Sequence, residues 1–243
     1  MRDAAEPESA IATVRHKQGK TTEIPWARVT GNGIVDAAPW RTFRWRMGQT
    51  HYSGTYWSAT EHDHVIYESR LELSRLMLAD FQLSVRRIVA QPFHLRAVVG
   101  GVMRRHVPDY LLLTDSGPIV VDVKPRDRLS RPAVASTFEW TRTLVESRGW
   151  RYEIACEPEP VVGENLRFLA GFRRDRLFDP DLVHELTVNL PDGVPLSAVC
   201  DAVASWPAPL VRSAALHLMW KQHFVIDLSR QLRPSQPLIR RQV

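Results

Sequence analysis

The fold is decided by two neighbouring segments, VPDYLLL (residues 107–113) and IVVDVKP (residues 119–125), which are separated by TDSGP (residues 114–118). Each segment is apolar and rich in β-branched residues, and the connection contains the Asp, Ser, Gly and Pro that are typical of turns. The pattern predicts an antiparallel hairpin. Because side chains two apart on a strand share a face, Asp122 and Lys124 should project together.

The hairpin brings acidic and basic side chains to one place. Asp109 opens the first strand, so two carboxylates and one ammonium group are expected on neighbouring strands. Carboxylate oxygens suit hard cations such as Mg²⁺, and cleavage of a phosphodiester needs charge neutralisation and an oriented water. A turn aspartate at position 109 and a solvated ion pair between Asp122 and Lys124 would give the same pattern, so both interpretations stay open.

The segment upstream, residues 64–81, is rich in helix formers and contains neither Gly nor Pro, which predicts a helix. Glu68, Glu72 and Arg75 fall at i, i+4 and i+7, so they should line one stripe of that helix. The stripe either faces the hairpin carboxylates or is a solvent-exposed surface without a catalytic role.

The order of these parts is that of a known nuclease core: an acidic helix, strands over 84–90 and 93–99, a Gly-Gly turn and then the hairpin. The chain resembles the PD-(D/E)xK nuclease superfamily and, within it, the TnsA-like endonuclease subunit of heteromeric transposases. The resemblance covers well over half of the chain. Its motifs are IPW (24–26), SRLEL (69–73), QPF (91–93), PDYL (108–111) and VDVKP (121–125).

The resemblance implies four catalytic residues. The helix glutamate of the family falls on Glu72, with Glu68 as the alternative, and the Pro-Asp aspartate falls on Asp109. Asp122 stands where most of the superfamily has Glu and TnsA-like proteins can have Gln, and the lysine is Lys124.

The resemblance also implies a role for each group. Asp109, Asp122 and the backbone carbonyl of Val123 would hold Mg²⁺ or Mn²⁺, and Glu72 would complete the acidic pocket directly or through water. Lys124 would lie beside the attacking water or the phosphate, where a positive charge stabilises the transition state.

Basic residues flank the predicted site on both sides. The chain has 32 Lys and Arg against 27 Asp and Glu, a net charge of +5 and a pI near 9.5, which favours an anionic partner such as nucleic acid. The predicted DNA contacts, some or all of which could instead belong to a solvated face, are Arg104, Arg105, Arg126, Arg128 and Arg131.

Three regions are expected along the chain. Residues 1–22 are polar with little periodicity and predict a mobile arm, residues 23–174 an α/β endonuclease domain with a mixed sheet flanked by helices, and residues 175–243 a small winged-helix-like domain. Helices are predicted there over 181–189, 196–204 and 210–221. Six aromatic residues at the start of the second region predict packing on its core: Trp26, Trp40, Trp45, Tyr52, Tyr56 and Trp57.

The function expected from this resemblance is hydrolysis of one DNA strand, on the 5′ side, at transposon ends. The implied partners are a DDE-type TnsB-like transposase and, through the C-terminal domain, a TnsC-like ATPase regulator. A stand-alone restriction or repair nuclease and a non-catalytic winged-helix DNA-binding or assembly protein are the alternatives. No apolar run is long enough to span a bilayer and no signal peptide is evident, so a cytoplasmic protein is expected.

Overall fold

The computed structural model describes residues 7–41 and 52–242, which form two compact units, Met1–Glu157 and Pro158–Val243. The first unit is an α/β structure with a mixed sheet, an antiparallel sheet and flanking helices. The α/β class predicted from the sequence is therefore confirmed. The boundary at 157/158 differs from the predicted one at 174/175, so the helix that follows residue 159 belongs to the second unit.

The described part of the first unit contains these elements in chain order: β1 (Ile11–Arg15), β2 (Thr21–Pro25), β3 (Gly54–Ser58), β4 (Asp63–Tyr67), α1 (Arg70–Phe81), β5 (Val85–Ala90), β6 (His94–Val99), β7 (Val102–His106), β8 (Tyr110–Thr114), β9 (Gly117–Val123), α2 (Pro132–Ser147) and β10 (Arg151–Ala155).

The mixed sheet has the strand order β10-β9-β8-β5. β8 and β9 pair antiparallel with Tyr110 opposite Val121 and Thr114 opposite Gly117, so the predicted hairpin is confirmed. β10 lies parallel to β9, and the connection between them contains α2, as a parallel pair requires. This sheet fixes the register that puts Asp109 and Asp122 on neighbouring strands.

The antiparallel sheet has the order β2-β1-β6-β7. β6 and β7 are joined by the predicted glycine turn, and Gly100 and Gly101 adopt φ of 56° and 72°, a left-handed conformation that glycine tolerates at little cost. The hydrophobic core takes residues from both sheets and from α2, and Trp26 anchors it because its indole N–H donates to the carbonyl of Leu144 at 2.7 Å.

Two predictions on the N-terminal half need correction. β1 lies within the predicted mobile arm, but it pairs with β6, and its Ala12 and Val14 are buried in the hydrophobic core. Residues 64–67 form the end of β4 rather than the start of a helix, since they pair with β3. Residues 1–6 of the predicted arm and Trp45 lie outside the described residues.

The described part of the second unit contains helices and short strands in this order: α3 (Pro160–Ala170), α4 (Pro180–Asn189), β11 (Val194–Pro195), α5 (Val199–Ala202), α6 (Ala208–Trp220), β12 (Phe224–Val225) and β13 (Pro237–Arg240). The strands form an antiparallel sheet of order β11-β13-β12. Three helices fall in the predicted places, although α5 is shorter than the predicted 196–204. Within the described ranges, no helix has the length and apolar character to cross a membrane.

Candidate active site

Asp109 is fixed at the start of β8 by the neighbouring strand. Its backbone N–H donates to the carbonyl of Val121 at 3.1 Å, and its Oδ2 accepts from the backbone N–H of Val123 at 2.6 Å. The carboxylate is thereby held against the end of β9, where Asp122 and Lys124 lie.

Glu72 is fixed at the N-terminus of α1 by a capping box. Ser69 is the N-cap, and its hydroxyl accepts from the backbone N–H of Glu72 at 3.1 Å. In return, Glu72 Oε2 accepts from the backbone N–H of Glu68 at 2.7 Å, and Oε1 accepts from the Ser69 hydroxyl at 2.9 Å. The glutamate is in the first turn of the helix because of this cap.

The predicted stripe of Glu68, Glu72 and Arg75 is wrong in two places. Glu68 precedes α1, and Arg75 is buried in a bidentate ion pair with Glu153, with distances of 2.7 and 2.8 Å. The cause of the first error is the strand at 64–67, which delays the helix to residue 70.

Glu68, the alternative helix carboxylate, is held by other partners. Its Oε2 forms an ion pair with Arg41 at 2.7 Å, and its Oε1 accepts from the side-chain amide of Gln91 at 3.1 Å. Gln91 is buried and has φ of 48°, a left-handed conformation that is uncommon outside glycine.

Asp122 is almost fully buried, at 2% exposure, and two side chains that the sequence analysis did not assign to it hold its carboxylate. His106 Nε2 lies 2.8 and 2.9 Å from its two oxygens, and the Tyr152 hydroxyl donates to Oδ2. His106 comes from the end of β7, and Tyr152 comes from β10.

All four predicted catalytic residues line one cavity of about 620 Å³. Its wall also includes the predicted ligand Val123 and the alternative carboxylate Glu68. The remaining lining residues are Trp40, Arg41, Gln91, His94, Arg105, His106, Val107 and Phe138.

The carboxylates are close enough to perturb one another. Burial, followed by the charges of Asp122 and Glu72, raises the pKa of Asp109 well above its ordinary value, although the N–H of Val123 and the charge of Lys124 act in the opposite direction. Burial is also the main cause that raises the pKa of Glu72. The cavity therefore concentrates negative charge where few solvent dipoles are present to offset it.

Lys124 provides a cation in this acidic cavity. Among the residues that the structure describes, it forms no ion pair, and its backbone N–H donates to Ala155 at 2.9 Å. The ion pair with Asp122 that the sequence left open is not formed, since Asp122 is engaged by His106 and Tyr152.

The cavity offers carboxylate oxygens of the kind that bind Mg²⁺. Over residues 7–41 and 52–242, no group of three or more His, Cys, Asp or Glu side chains could hold a metal ion as it stands. Mg²⁺ is usually bound by one or two carboxylates together with substrate phosphates and water. Asp109 and Asp122 fit that smaller requirement, because both line the cavity and because a cation would relieve the repulsion between them. Glu72 lines the same cavity, and its two oxygens accept from the backbone N–H of Glu68 and the hydroxyl of Ser69.

The predicted DNA-contacting arginines are divided by the structure. Arg105 lines the cavity, and Arg128 lines a second cavity beside it. Arg104, Arg126 and Arg131 line neither.

Arg86 and Arg87, on β5, are paired with acids. Arg86 bonds to Asp115 at 2.7 Å, and Arg87 lies 3.1 Å from Glu61.

Comparison with known proteins adds no assignment. Neither a scan against protein-family models nor a search of curated proteins finds a match to this chain. The function is therefore inferred from the arrangement of the residues in the cavity.

Proposed function

We propose that this chain is a metal-dependent DNA endonuclease subunit of a heteromeric transposase, similar to TnsA, which hydrolyses one strand on the 5′ side of transposon ends. The observation that supports the proposal best is that Glu72, Asp109, Asp122 and Lys124, from one helix and one hairpin, line the same cavity. A helix glutamate, a Pro-Asp aspartate and an Asp-x-Lys pair around one cavity are the parts that a PD-(D/E)xK site requires.

The proposed reaction is hydrolysis of a phosphodiester. A water oxygen forms a bond to phosphorus as the water loses a proton, the bond from phosphorus to O3′ breaks, and O3′ takes up a proton to give a 3′-hydroxyl and a 5′-phosphate. Asp109 and Asp122, with the Val123 carbonyl, would hold Mg²⁺ or Mn²⁺, which supplies charge neutralisation and an activated water.

The chain's own residues have separate tasks in this scheme. His106 and Tyr152 hold the Asp122 carboxylate in one orientation, and the Val123 N–H does the same for Asp109. Lys124, which has no acidic partner among the described residues, stabilises the charge that develops on the phosphate oxygens.

The second unit is proposed to be a winged-helix-like domain that docks the TnsC-like ATPase. Support comes from the order helix, strand, helix, helix, strand, strand over α4 to β13 and from the sheet order β11-β13-β12. The basic side chains on α6 and at its C-cap are Arg212, His217 and Lys221, and His217 is buried with Nδ1 against the carbonyl of Phe172 at 2.7 Å. Lys221 is paired with Asp175 at 3.1 Å, so Arg212 alone stays exposed and unpaired among them. Protein docking is therefore favoured over major-groove reading.

A nicking assay tests the proposal. Supercoiled plasmid carrying a candidate transposon end is incubated with Mg²⁺ or Mn²⁺, with and without the DDE-type transposase, and Asp109→Ala is compared with Asp115→Ala. Asp115 lies at the tip of the same hairpin, exposed and paired with Arg86, so its variant should cut normally.

Each outcome has a defined meaning. Nicking that needs the transposase and is lost in Asp109→Ala supports the transposase subunit. Nicking without the transposase favours the stand-alone nuclease. Metal-independent DNA binding with no nicking in any mixture would identify a scaffold and refute the proposal.

A further inference from the structure

A second cavity of about 530 Å³ adjoins the first. Both cavities are lined by Arg41, Glu68, Glu72, Val123 and Lys124. Because these residues line both spaces, the two cavities lie side by side at the lysine and the carboxylates, and we call them the first and second arm of one groove.

Each arm contains an arginine that the other lacks. Arg105 lines only the first cavity, and Arg128 only the second. In the described part of the chain neither forms an ion pair, whereas Arg75, Arg86 and Arg96 are each paired with a carboxylate. An exposed guanidinium without an acidic partner is available to bind phosphate.

The first arm contains positive charge from Arg105. His94 and Arg105 both line this arm, and burial followed by the charge of Arg105 lowers the pKa of His94. Arg41, at the common wall, is neutralised by Glu68. Positive charge is therefore found in both arms, on either side of an acidic centre.

We propose that this groove holds one DNA strand continuously through the site, with phosphates on one flank of the cut bound by Arg105 and phosphates on the opposite flank bound by Arg128. This inference rests on the proposed nuclease function and deepens it. A strand that must occupy both arms is cut internally, so the protein should act as an endonuclease and discriminate against a strand that ends at the scissile phosphate.

Methylphosphonate substitution tests the two flanks separately, since it removes one phosphate charge at a time. Duplexes that the wild type cuts at one position in Mn²⁺ are made with a single methylphosphonate on either flank, and the full-length Arg105→Ala, Arg128→Ala and Arg86→Ala proteins are compared. Loss of one arginine contact should slow cleavage about tenfold or more. Arg105→Ala should become insensitive to substitution on one flank only, Arg128→Ala on the other, and Arg86→Ala should behave like the wild type.

The inference is overturned if both variants lose sensitivity on the same flank, if neither does, or if the wild type cuts equally well at a strand end. If the wild type shows no metal-dependent cleavage, the proposed function fails, and binding of the same unmodified duplex without metal decides the groove alone. Arg105→Ala and Arg128→Ala should each lower the slope of log K against log salt by about 1, unlike Arg86→Ala. Equal slopes for all four proteins would refute the groove.

Discussion

Replacing Asp109 by asparagine should stabilise the metal-free protein while abolishing cleavage. Asp109 is half-buried, and its desolvation, followed by the charges of Asp122 and Glu72, makes its ionised form unfavourable. Asparagine removes that charge but retains an oxygen that can accept from the Val123 N–H, which lies 2.6 Å from Oδ2. Substitutions that relieve a strained site commonly contribute about 0.5–2 kcal/mol. At about 2–4 °C per kcal/mol for a chain of this size, Tm should rise by several degrees.

The pH dependence of this gain has a definite sign. Because the folded state raises the pKa of Asp109, the protonated form contributes stability that is fully present below the ordinary value of 3.8 and is lost as pH rises through the raised pKa. The variant should therefore match the wild type at the acid end of that window. Its advantage should grow with pH and then become constant. Thermal unfolding across the window, followed by circular dichroism without metal, measures this.

Asp80 provides the matched control. It is a buried aspartate of the first unit, but its oxygens accept from the hydroxyls of Tyr56 and Ser58 and from the backbone N–H of Thr60. Asp80→Asn should lose about 2–4 kcal/mol, because an amide nitrogen cannot accept these bonds. If Asp109→Asn is destabilised in the same way, or if its gain does not vary with pH, the repulsion argument is refuted.

Three further predictions concern the support of the site. Tyr152→Phe should lower both Mn²⁺ affinity, measured by calorimetry, and the nicking rate about 10- to 100-fold, because Asp122 loses one of its two side-chain donors. The control Tyr56→Phe removes a similar buried bond in a residue that lines neither cavity, so it should alter stability alone. Equal effects of the two variants would contradict the role of Tyr152 in holding Asp122. Lys124→Met should leave Mn²⁺ binding intact but reduce the single-turnover rate at least 100-fold, so a change in binding alone would refute its catalytic role. Ser69→Ala should cost about 1 kcal/mol in urea unfolding, since it removes the cap of α1, and no loss would show that the cap is dispensable.

The hairpin could be predicted from the sequence because its determinants are local. The apolar runs and the turn residues lie within one short segment, and the register follows from the turn. Residues 64–67 also belong to a local hairpin, with β3, and their Val-Ile-Tyr run favours a strand, but it is followed without a break by strong helix formers. β1 forms a local hairpin with β2, and its second partner, β6, is distant in the chain.

The candidate site was predictable only in part for the same reason. Asp109, Asp122 and Lys124 are set by the hairpin, and the Ser69-to-Glu72 capping box is visible as a local motif. The contacts of His106 and Tyr152 with Asp122 depend on how β7 and β10 end beside β9, and nothing in the local sequence specifies this. Identifying β10 as the parallel neighbour of β9 would have pointed to Tyr152 alone.

The carboxylate of Asp122 joins the two sheets of the first unit, since His106 comes from the antiparallel sheet and Tyr152 from the mixed one. A change at any one of these three positions removes a hydrogen bond that links the two sheets. Descendants of a common ancestor should exchange them as a set, so that where the acid is replaced by a glutamine or a glutamate, the histidine and the tyrosine change with it.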